Sequence, residues 1–148
     1  MRIAIAADHA GYLLKDELVR WLAEQGHEVS DLGTNGPESV DYPLFGHKVA
    51  EAVASGQAER GIAVCGTGIG ISIAVNREPK CRCARVSEPL SAQLAREHND
   101  ANVLALGARI VGTEMAKACV SAFIDTGFGG GRHSHRVDQL SHLLQDSD

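Results

Sequence analysis

The stretch GIAVCGTGIG, residues 61–70, decides the fold because it joins a short apolar run directly to a glycine-rich turn. Gly61 to Cys65 is predicted to be a strand, and the turn after it leads into a short helix around Ser72 to Asn76. Similar β-rich runs recur along the chain and alternate with helical patterns. Such alternation is typical of a parallel sheet covered by helices.

The other elements are predicted from the same two kinds of pattern. The further strands are Arg2 to Ala7, Glu28 to Leu32, Arg82 to Val86 and Asn102 to Leu106. Three helices are predicted to end near Gln25, Gly56 and His98. A fourth is predicted over Thr113 to Asp125, with Met115, Cys119 and Phe123 inward. A last helix is predicted to start at about residue 133 and to pack through Val137, Leu140 and Leu144. We therefore predict one α/β domain over residues 1–148 with a five-stranded, mainly parallel sheet.

Composition narrows the class of protein. The net charge of -5 argues against nucleic acid as a partner. No stretch approaches the roughly 18 consecutive apolar residues that a membrane-spanning helix needs. The N-terminus becomes polar at Asp8 after a short apolar run, which is too short for a signal-peptide core. We therefore expect a cytoplasmic protein without a nucleic-acid or membrane partner.

The four cysteines, at positions 65, 81, 83 and 119, show no CxxC spacing. Cys81 and Cys83 are expected to point to opposite faces of one strand, so we predict no zinc site and no disulfide. These two and Cys119 are expected to be buried, inert thiols. His133, His135 and His142 have no carboxylate at a suitable spacing, so a metal site is not predicted there either.

The carboxyl ends of the predicted strands carry the polar residues that could form a site. Ligands of open parallel sheets bind beyond these ends. The first strand delivers Asp8 and His9, the second leads through Gly33 and Thr34 towards Asp41 and Tyr42, the third delivers Cys65 and the glycine turn, and the fifth leads to Arg109. We therefore predict the site at this edge of the sheet.

Cys65 and the turn over Gly66 to Gly70 are the strongest candidates for chemistry. Three glycines let the backbone aim N–H groups inward, which suits an anion or a developing oxyanion. A dinucleotide-binding fingerprint is excluded, because it would need glycine where Ile71 stands. The alternative to an anion-binding site is a tight strand-to-helix turn without a ligand. A thiol beside a helix N-terminus is favoured as the thiolate, which could attack a carbonyl or remove a proton from carbon. Thr67 offers a hydroxyl to the same reacting oxygen.

Two further groups point beyond a single chain. His98 and Asn99 end a helix before the fifth strand, so they are expected at the edge opposite Cys65. They are either a capping pair or part of a site that a second subunit of a two-fold dimer completes. Arg132 and Arg136 share one helix face, which fits a phosphate; the alternative is a solvated basic face.

Several ordered motifs together resemble the ribose-5-phosphate isomerase B family, which includes galactose- and allose-6-phosphate isomerases. They are Ile3 to Gly11, Asp41 to Pro43, Cys65 to Gly70, Ser87 to Pro89, His98 to Leu104, Gly107 to Arg109 and Arg132 to Val137. The resemblance implies a Rossmann-like α/β/α sandwich and a homodimer with sites at its interface; the sequence does not decide whether dimers pair into tetramers. It implies aldose–ketose isomerisation through an enediolate, with no cofactor or metal.

The resemblance also implies a role for each matching residue. Cys65 is the base that moves the C2 proton, and Thr67 with the backbone of Gly66, Gly68, Ile69 and Gly70 stabilises the enediolate. His98 assists ring opening, Asp8 and Asn99 handle hydroxyl protons, Tyr42 lines the sugar, and His9, Arg109, Arg132 and Arg136 bind the phosphate. Some relatives use a glutamate base a few residues later, but Ile69-Gly70-Ile71 holds no carboxylate. Leu90, where many relatives carry an aromatic residue, and the stretch Lys80 to Cys83 depart from the family pattern.

The sequence leaves the substrate open. We expect interconversion of ribose 5-phosphate and ribulose 5-phosphate; the alternatives are a hexose 6-phosphate such as allose or galactose 6-phosphate, or an unphosphorylated sugar as a side reaction. Arg132 and Arg136 favour a phosphorylated sugar. From another class, the chain could be a non-catalytic phosphosugar-binding module, which needs neither an ionisable thiol at position 65 nor His98.

Overall fold

The computed structural model describes residues 1–142, which form five strands and six helices. The strands are β1 (Arg2–Ala7), β2 (Glu28–Asp31), β3 (Arg60–Cys65), β4 (Cys83–Arg85) and β5 (Val103–Gly107). The helices are α1 (Tyr12–Glu24), α2 (Tyr42–Ala54), α3 (Ile69–Val75), α4 (Pro89–Asn99), α5 (Thr113–Asp125) and α6 (Arg132–His142). Among these residues, no helix combines the length and apolar character needed to cross a bilayer.

All five strands are parallel and lie in the order β2-β1-β3-β5-β4, which confirms the predicted sheet. The chain places β2 on one side of β1 and then crosses back to place β3 on the other side of β1. The helices of these two connections, α1 and α2, therefore cover opposite faces of the sheet. In open α/β sheets a ligand crevice forms at this switch point, beyond the carboxyl ends of the two strands.

The two faces of the sheet differ in side-chain size. One face carries mainly branched side chains such as Ile5 and Leu104, which pack against α1, α4 and α5. The other carries small residues such as Ala6 and Ala63 and packs against α2 and α3. Successive strand residues point to opposite faces, so Cys65, like Ala63, faces α2 and α3.

Two helical predictions need correction. The short helix after β3 begins at Ile69 and not near Ser72, because Gly68 takes a left-handed conformation (φ 76°) and caps it immediately. Met115, predicted to point inward, is 43% exposed. The buried stripe of α5 is Ala116, Cys119, Val120 and Phe123, at helical spacing, and Met115 lies outside this stripe.

The final helix does not pack as predicted. Val137 is half-buried, Leu140 is 63% exposed, and Leu144 lies outside the described residues. The helix contacts α4, and in the loop before it the Gly129 N–H donates to the Glu97 carbonyl near the end of α4 at 3.0 Å. Within residues 1–142, the predicted apolar stripe is therefore covered only in part.

A fully buried lysine fixes the loop after β2. Lys15 Nζ lies 2.7 and 2.8 Å from the two carboxylate oxygens of Asp31 and 2.9 Å from Asn35 Oδ1. The same loop pairs with the end of β1, because the Ala7 N–H donates to the Gly33 carbonyl and the Thr34 N–H donates to the Ala7 carbonyl, both at 2.7 Å. Lys15 thus holds the chain beside Asp8.

Replacing this lysine is expected to destabilise the protein. Lys15→Met should lower the free energy of unfolding by about 1–3 kcal/mol, because it leaves Asp31 without its cation while a third of that side chain remains in water. Urea denaturation measures the change, with the exposed Lys80→Met as the matched control. Equal unfolding midpoints for the two variants would contradict the assigned role of Lys15.

Candidate active site

A carboxylate and an imidazole come directly after β1. Asp8 is buried; its Oδ1 accepts the N–H groups of Ala10 at 2.9 Å and Gly11 at 3.1 Å, which orients the carboxylate at the strand end. His9 Nδ1 accepts the Val40 N–H at 3.1 Å. In the neutral imidazole this leaves Nε2 as the proton donor. The loop before α2 therefore closes over the end of β1 and fixes the orientation of His9.

Cys65 is the last residue of β3, and its sulfur belongs to the turn after that strand. The side chain is 4% exposed and packs against Ala6, Phe45 and Ile71. Its Sγ accepts the Gly68 N–H at 3.1 Å. This contact places the sulfur beside the backbone amides of the turn at the carboxyl edge. Thr67, two residues after Cys65, is the first exposed residue of the turn.

The turn supplies further hydrogen-bond donors. The Ile69 N–H donates to Thr67 Oγ1 at 3.2 Å, so the Thr67 hydroxyl keeps its own hydrogen free for donation. The Ser72 N–H donates to the Gly68 carbonyl. Within residues 1–142, the N–H groups of Gly70 and Ile71 have no hydrogen-bond acceptor, as expected in the first turn of a helix.

Neighbouring elements press closely on the turn. A Cβ on Gly70 would lie 2.7 Å from the Tyr42 ring, so this ring covers the start of α3. A Cβ on Gly66 would lie 3.1 Å from a guanidinium nitrogen of Arg109, so this cation lies over the turn. One chain therefore brings together ten of the predicted site residues: Asp8, His9, Tyr42, Cys65, Gly66, Thr67, Gly68, Ile69, Gly70 and Arg109.

Gly107 is required for the turn to reach its position. A Cβ there would lie 2.5 Å from the carbonyl carbon of Thr67. We expect Gly107→Ala to lower the free energy of unfolding by about 1–3 kcal/mol and to lower activity, because the backbone must move away from the new methyl group. Thermal unfolding and kcat measure both effects. Gly127→Ala, with no atom within 4 Å of its Cβ, is the matched control; equal behaviour of the two variants would contradict the close packing.

A basic cluster occupies the opposite edge of the sheet. The rings of His98, in the last turn of α4, and His133, in α6, stack with centroids 4.5 Å apart and planes 19° apart. The pKa of His133 is lowered mainly by its loss of hydration, and to a smaller extent by the positive charges of His98, Arg132 and Arg136. The arginines are exposed. Crowded positive charge of this kind favours the binding of an anion.

The residues around Cys65 and the basic cluster around His98 lie at opposite edges of the sheet, as predicted for His98. The end of α4 leads to the start of β5, whereas Arg109 lies after the end of β5. Strands of five or six residues separate these edges by roughly 15–20 Å. A single chain therefore does not bring His98, Asn99, Arg132 and Arg136 to Cys65.

One arginine near the turn was not predicted. Arg85 is the last residue of β4, and its Nε donates to the Thr67 carbonyl at 3.0 Å. The signal was present in the sequence, because Arg85 lies one residue before the carboxyl end of the predicted strand Arg82 to Val86. The polar residues predicted for this edge of the sheet came from the other strands only.

The expectation for Cys81 and Cys83 was wrong in one respect. Both contact the same apolar cluster, since residues two apart in an extended chain share a face. Burial raises the pKa of Cys81 to about 11 and also raises the pKa of Cys83 and Cys119. These three thiols therefore remain protonated near neutral pH, in agreement with their predicted inert character. Cys81 and Cys119 are buried as predicted, whereas Cys83 is only half-buried.

Comparison with known proteins identifies the family. Residues 3–140 match the family model described as Ribose/Galactose Isomerase. The chain belongs to this isomerase family. Ribose-5-phosphate isomerase B of Escherichia coli is 49% identical over 144 residues, which cover 97% of each chain.

Other members of the isomerase family match over nearly their whole length. The structure of ribose-5-phosphate isomerase B from Clostridium thermocellum covers all of both chains, with a TM-score of 0.97 and 50% identity, which confirms the Rossmann-like fold. D-erythrulose-4-phosphate isomerase of Pectobacterium atrosepticum is 38% identical, over 96% of this chain and 94% of that relative. The family thus includes proteins named for different phosphosugars.

Proposed function

We propose that this chain is an aldose–ketose isomerase that interconverts ribose 5-phosphate and ribulose 5-phosphate by proton transfer through an enediolate. The observation that carries the proposal is the Cys65 sulfur, held 3.1 Å from the Gly68 N–H at the switch point of the sheet. The name of the Escherichia coli relative supports the pentose substrate. Because phosphosugars are charged and stay inside cells, we place the enzyme in the cytoplasm.

Cys65 is the base in this proposal. Its thiolate takes the proton from C2 of the open-chain aldose, which leaves an enediolate with negative charge on O1. The thiol then returns a proton to C1 while the O2 hydroxyl proton passes to O1, which gives the ketose. The Gly68 N–H stabilises the charged sulfur more than the neutral one. A positioned base contributes about 10²–10⁴-fold to the rate.

The turn stabilises the oxyanion that develops between these steps. The Thr67 hydroxyl supplies one donor, and the N–H groups of Gly70 and Ile71, which have no acceptor among the described residues, supply two more. A preorganised donor of this kind is worth about 10²–10³-fold in kcat. Asp8, buried and fixed by two backbone N–H groups, handles the hydroxyl protons from the neighbouring strand end.

A second copy of the chain completes the site. His9 and Arg109 lie at the Cys65 edge, whereas the His98 and Arg132–Arg136 cluster lies at the other edge, so the catalytic and phosphate-binding groups meet only if two chains combine. The Cys65 edge also exposes large apolar side chains on the elements around the site, which a partner would cover. These side chains are Leu13, Leu44, Ile69, Ile73, Leu90 and Ile110.

The first test is isomerisation by protein that has been treated with a chelator and dialysed. We expect ribose 5-phosphate to be converted to ribulose 5-phosphate, and the reverse, without added divalent metal. A panel with erythrulose 4-phosphate and with allose and galactose 6-phosphates ranks the substrates by kcat/KM. A preference for another phosphosugar would correct the substrate alone. Binding without turnover would favour a non-catalytic module, and strict dependence on added metal would contradict the proton-transfer route.

A further inference from the structure

We propose that Arg85 is a positioning residue that acts on the Cys65 thiolate through the peptide group between Thr67 and Gly68. The inference rests on the proposed role of Cys65 as the base. Arg85 Nε donates to the Thr67 carbonyl oxygen at 3.0 Å, and the Gly68 N–H donates to Cys65 Sγ at 3.1 Å. This carbonyl and this N–H belong to the same peptide unit.

The trans geometry of that peptide unit explains the coupling. In a trans peptide the C=O and N–H bonds point in opposite directions, so the arginine and the sulfur lie on opposite sides of one planar group. A cation at the oxygen draws electron density from the nitrogen and makes the N–H a stronger donor. The N–H is then a better partner for a charged sulfur than for a neutral one.

Packing fixes where this peptide lies, so Arg85 supplies charge to a group that is already in place. Thr67 lies against Gly107, where a Cβ would be 2.5 Å from the Thr67 carbonyl carbon. Gly68 lies against Leu106 and has a φ of 76°, a conformation that favours glycine. Loss of the Arg85 side chain should therefore change the strength of the amide donor more than the position of the turn.

Other titratable and charged groups lie at the same end of the sheet as Cys65. Asp8 and His9 come after the neighbouring strand β1, Tyr42 comes from α2, and Arg109 comes after β5 and lies over Gly66. The helix α3 contributes no acidic or basic side chain. Asp8 disfavours a thiolate and Arg109 favours it through space. Arg85 differs from both because it acts through the Gly68 amide, which is hydrogen-bonded to the sulfur.

The experiment titrates the Cys65 thiolate by its ultraviolet absorbance, taken as the difference between each protein and its own Cys65→Ala counterpart. Arg85→Met should shift the midpoint of thiolate formation upward by about half a pH unit and lower kcat near neutral pH about threefold, with KM within about twofold. Arg85→Lys should recover part of the shift because it restores the charge. Arg20→Met, which removes an exposed arginine from α1, is the matched control.

Each outcome decides the inference. A midpoint for Arg85→Met that coincides with the wild type, or an equal shift in Arg20→Met, would overturn it. If Arg85→Met does not fold, Arg85→Gln replaces it; this variant keeps a neutral donor, and an unshifted midpoint there would also contradict the inference. A wild-type protein without isomerase activity would contradict the proposed function alone, because the thiolate titration still reports on Arg85.

Discussion

Cys65→Ala is expected to lower kcat for ribose 5-phosphate by about 10²–10⁴-fold, the usual contribution of a positioned base. The small side chain leaves the strand end and its packing in place, so binding of a phosphosugar should change little. Steady-state kinetics together with titration of a non-reacting phosphosugar measure the two effects separately. A loss confined to kcat would locate the defect in the chemical step.

Cys83→Ala is the matched control for that substitution. Cys83 lies in the same apolar cluster as Cys65 but is placed at the start of β4, away from the turn. Its alanine variant should keep kcat within about twofold of the wild type, since its half-buried thiol takes no part in the chemistry. Comparable losses in both variants would indicate that the apolar cluster, and not the thiolate, limits activity.

Subunit exchange should restore activity to two inactive proteins. Cys65→Ala and His98→Ala each remove a group from one edge of the sheet, and a site shared between two chains takes one edge from each. Random exchange makes half of the dimers hybrid, and one of the two sites in each hybrid is intact, so about a quarter of the wild-type activity should return. The assay is kcat per subunit after verified mixing.

The control for subunit exchange uses two variants of the same edge. Cys65→Ala mixed with Thr67→Ala should stay inactive, because every site receives one damaged copy of the turn whichever way the chains pair. Recovery in this control, or its absence in the first mixture despite complete exchange, would contradict a site built from two chains.

Much of the fold was predictable because each strand is an apolar run that ends in a recognisable polar or glycine residue. β1 and α5 have the predicted bounds, and the strand that ends at Cys65 was predicted to within a residue. Local chemistry decides such features: apolar alternation, helical spacing and turn residues act over a few positions. The early start of α3 was missed because it depends on the left-handed conformation of Gly68, which a glycine permits but does not require.

The candidate site was predictable to the extent that its residues lie at strand ends. Asp8, Cys65 and Arg109 were predicted from their positions at or just after the carboxyl ends of parallel strands, and the same rule placed His98 at the opposite edge. The exposure of Met115 and Leu140 could not be predicted in this way, because burial depends on which surfaces are available to cover an apolar stripe. The contact between Arg85 and Thr67 depends on strand order, which places β4 beside β5 and within reach of the turn.

The fate of a deuterium label at C2 of ribose 5-phosphate tests the central claim most directly. If the Cys65 thiolate removes this hydrogen as a proton, part of the label should reach water during turnover by the wild type, and Cys65→Ala should release almost none. Nuclear magnetic resonance of the product and the solvent measures both quantities. Delivery of all of the label to C1, or release by Cys65→Ala at the wild-type rate, would contradict the claim.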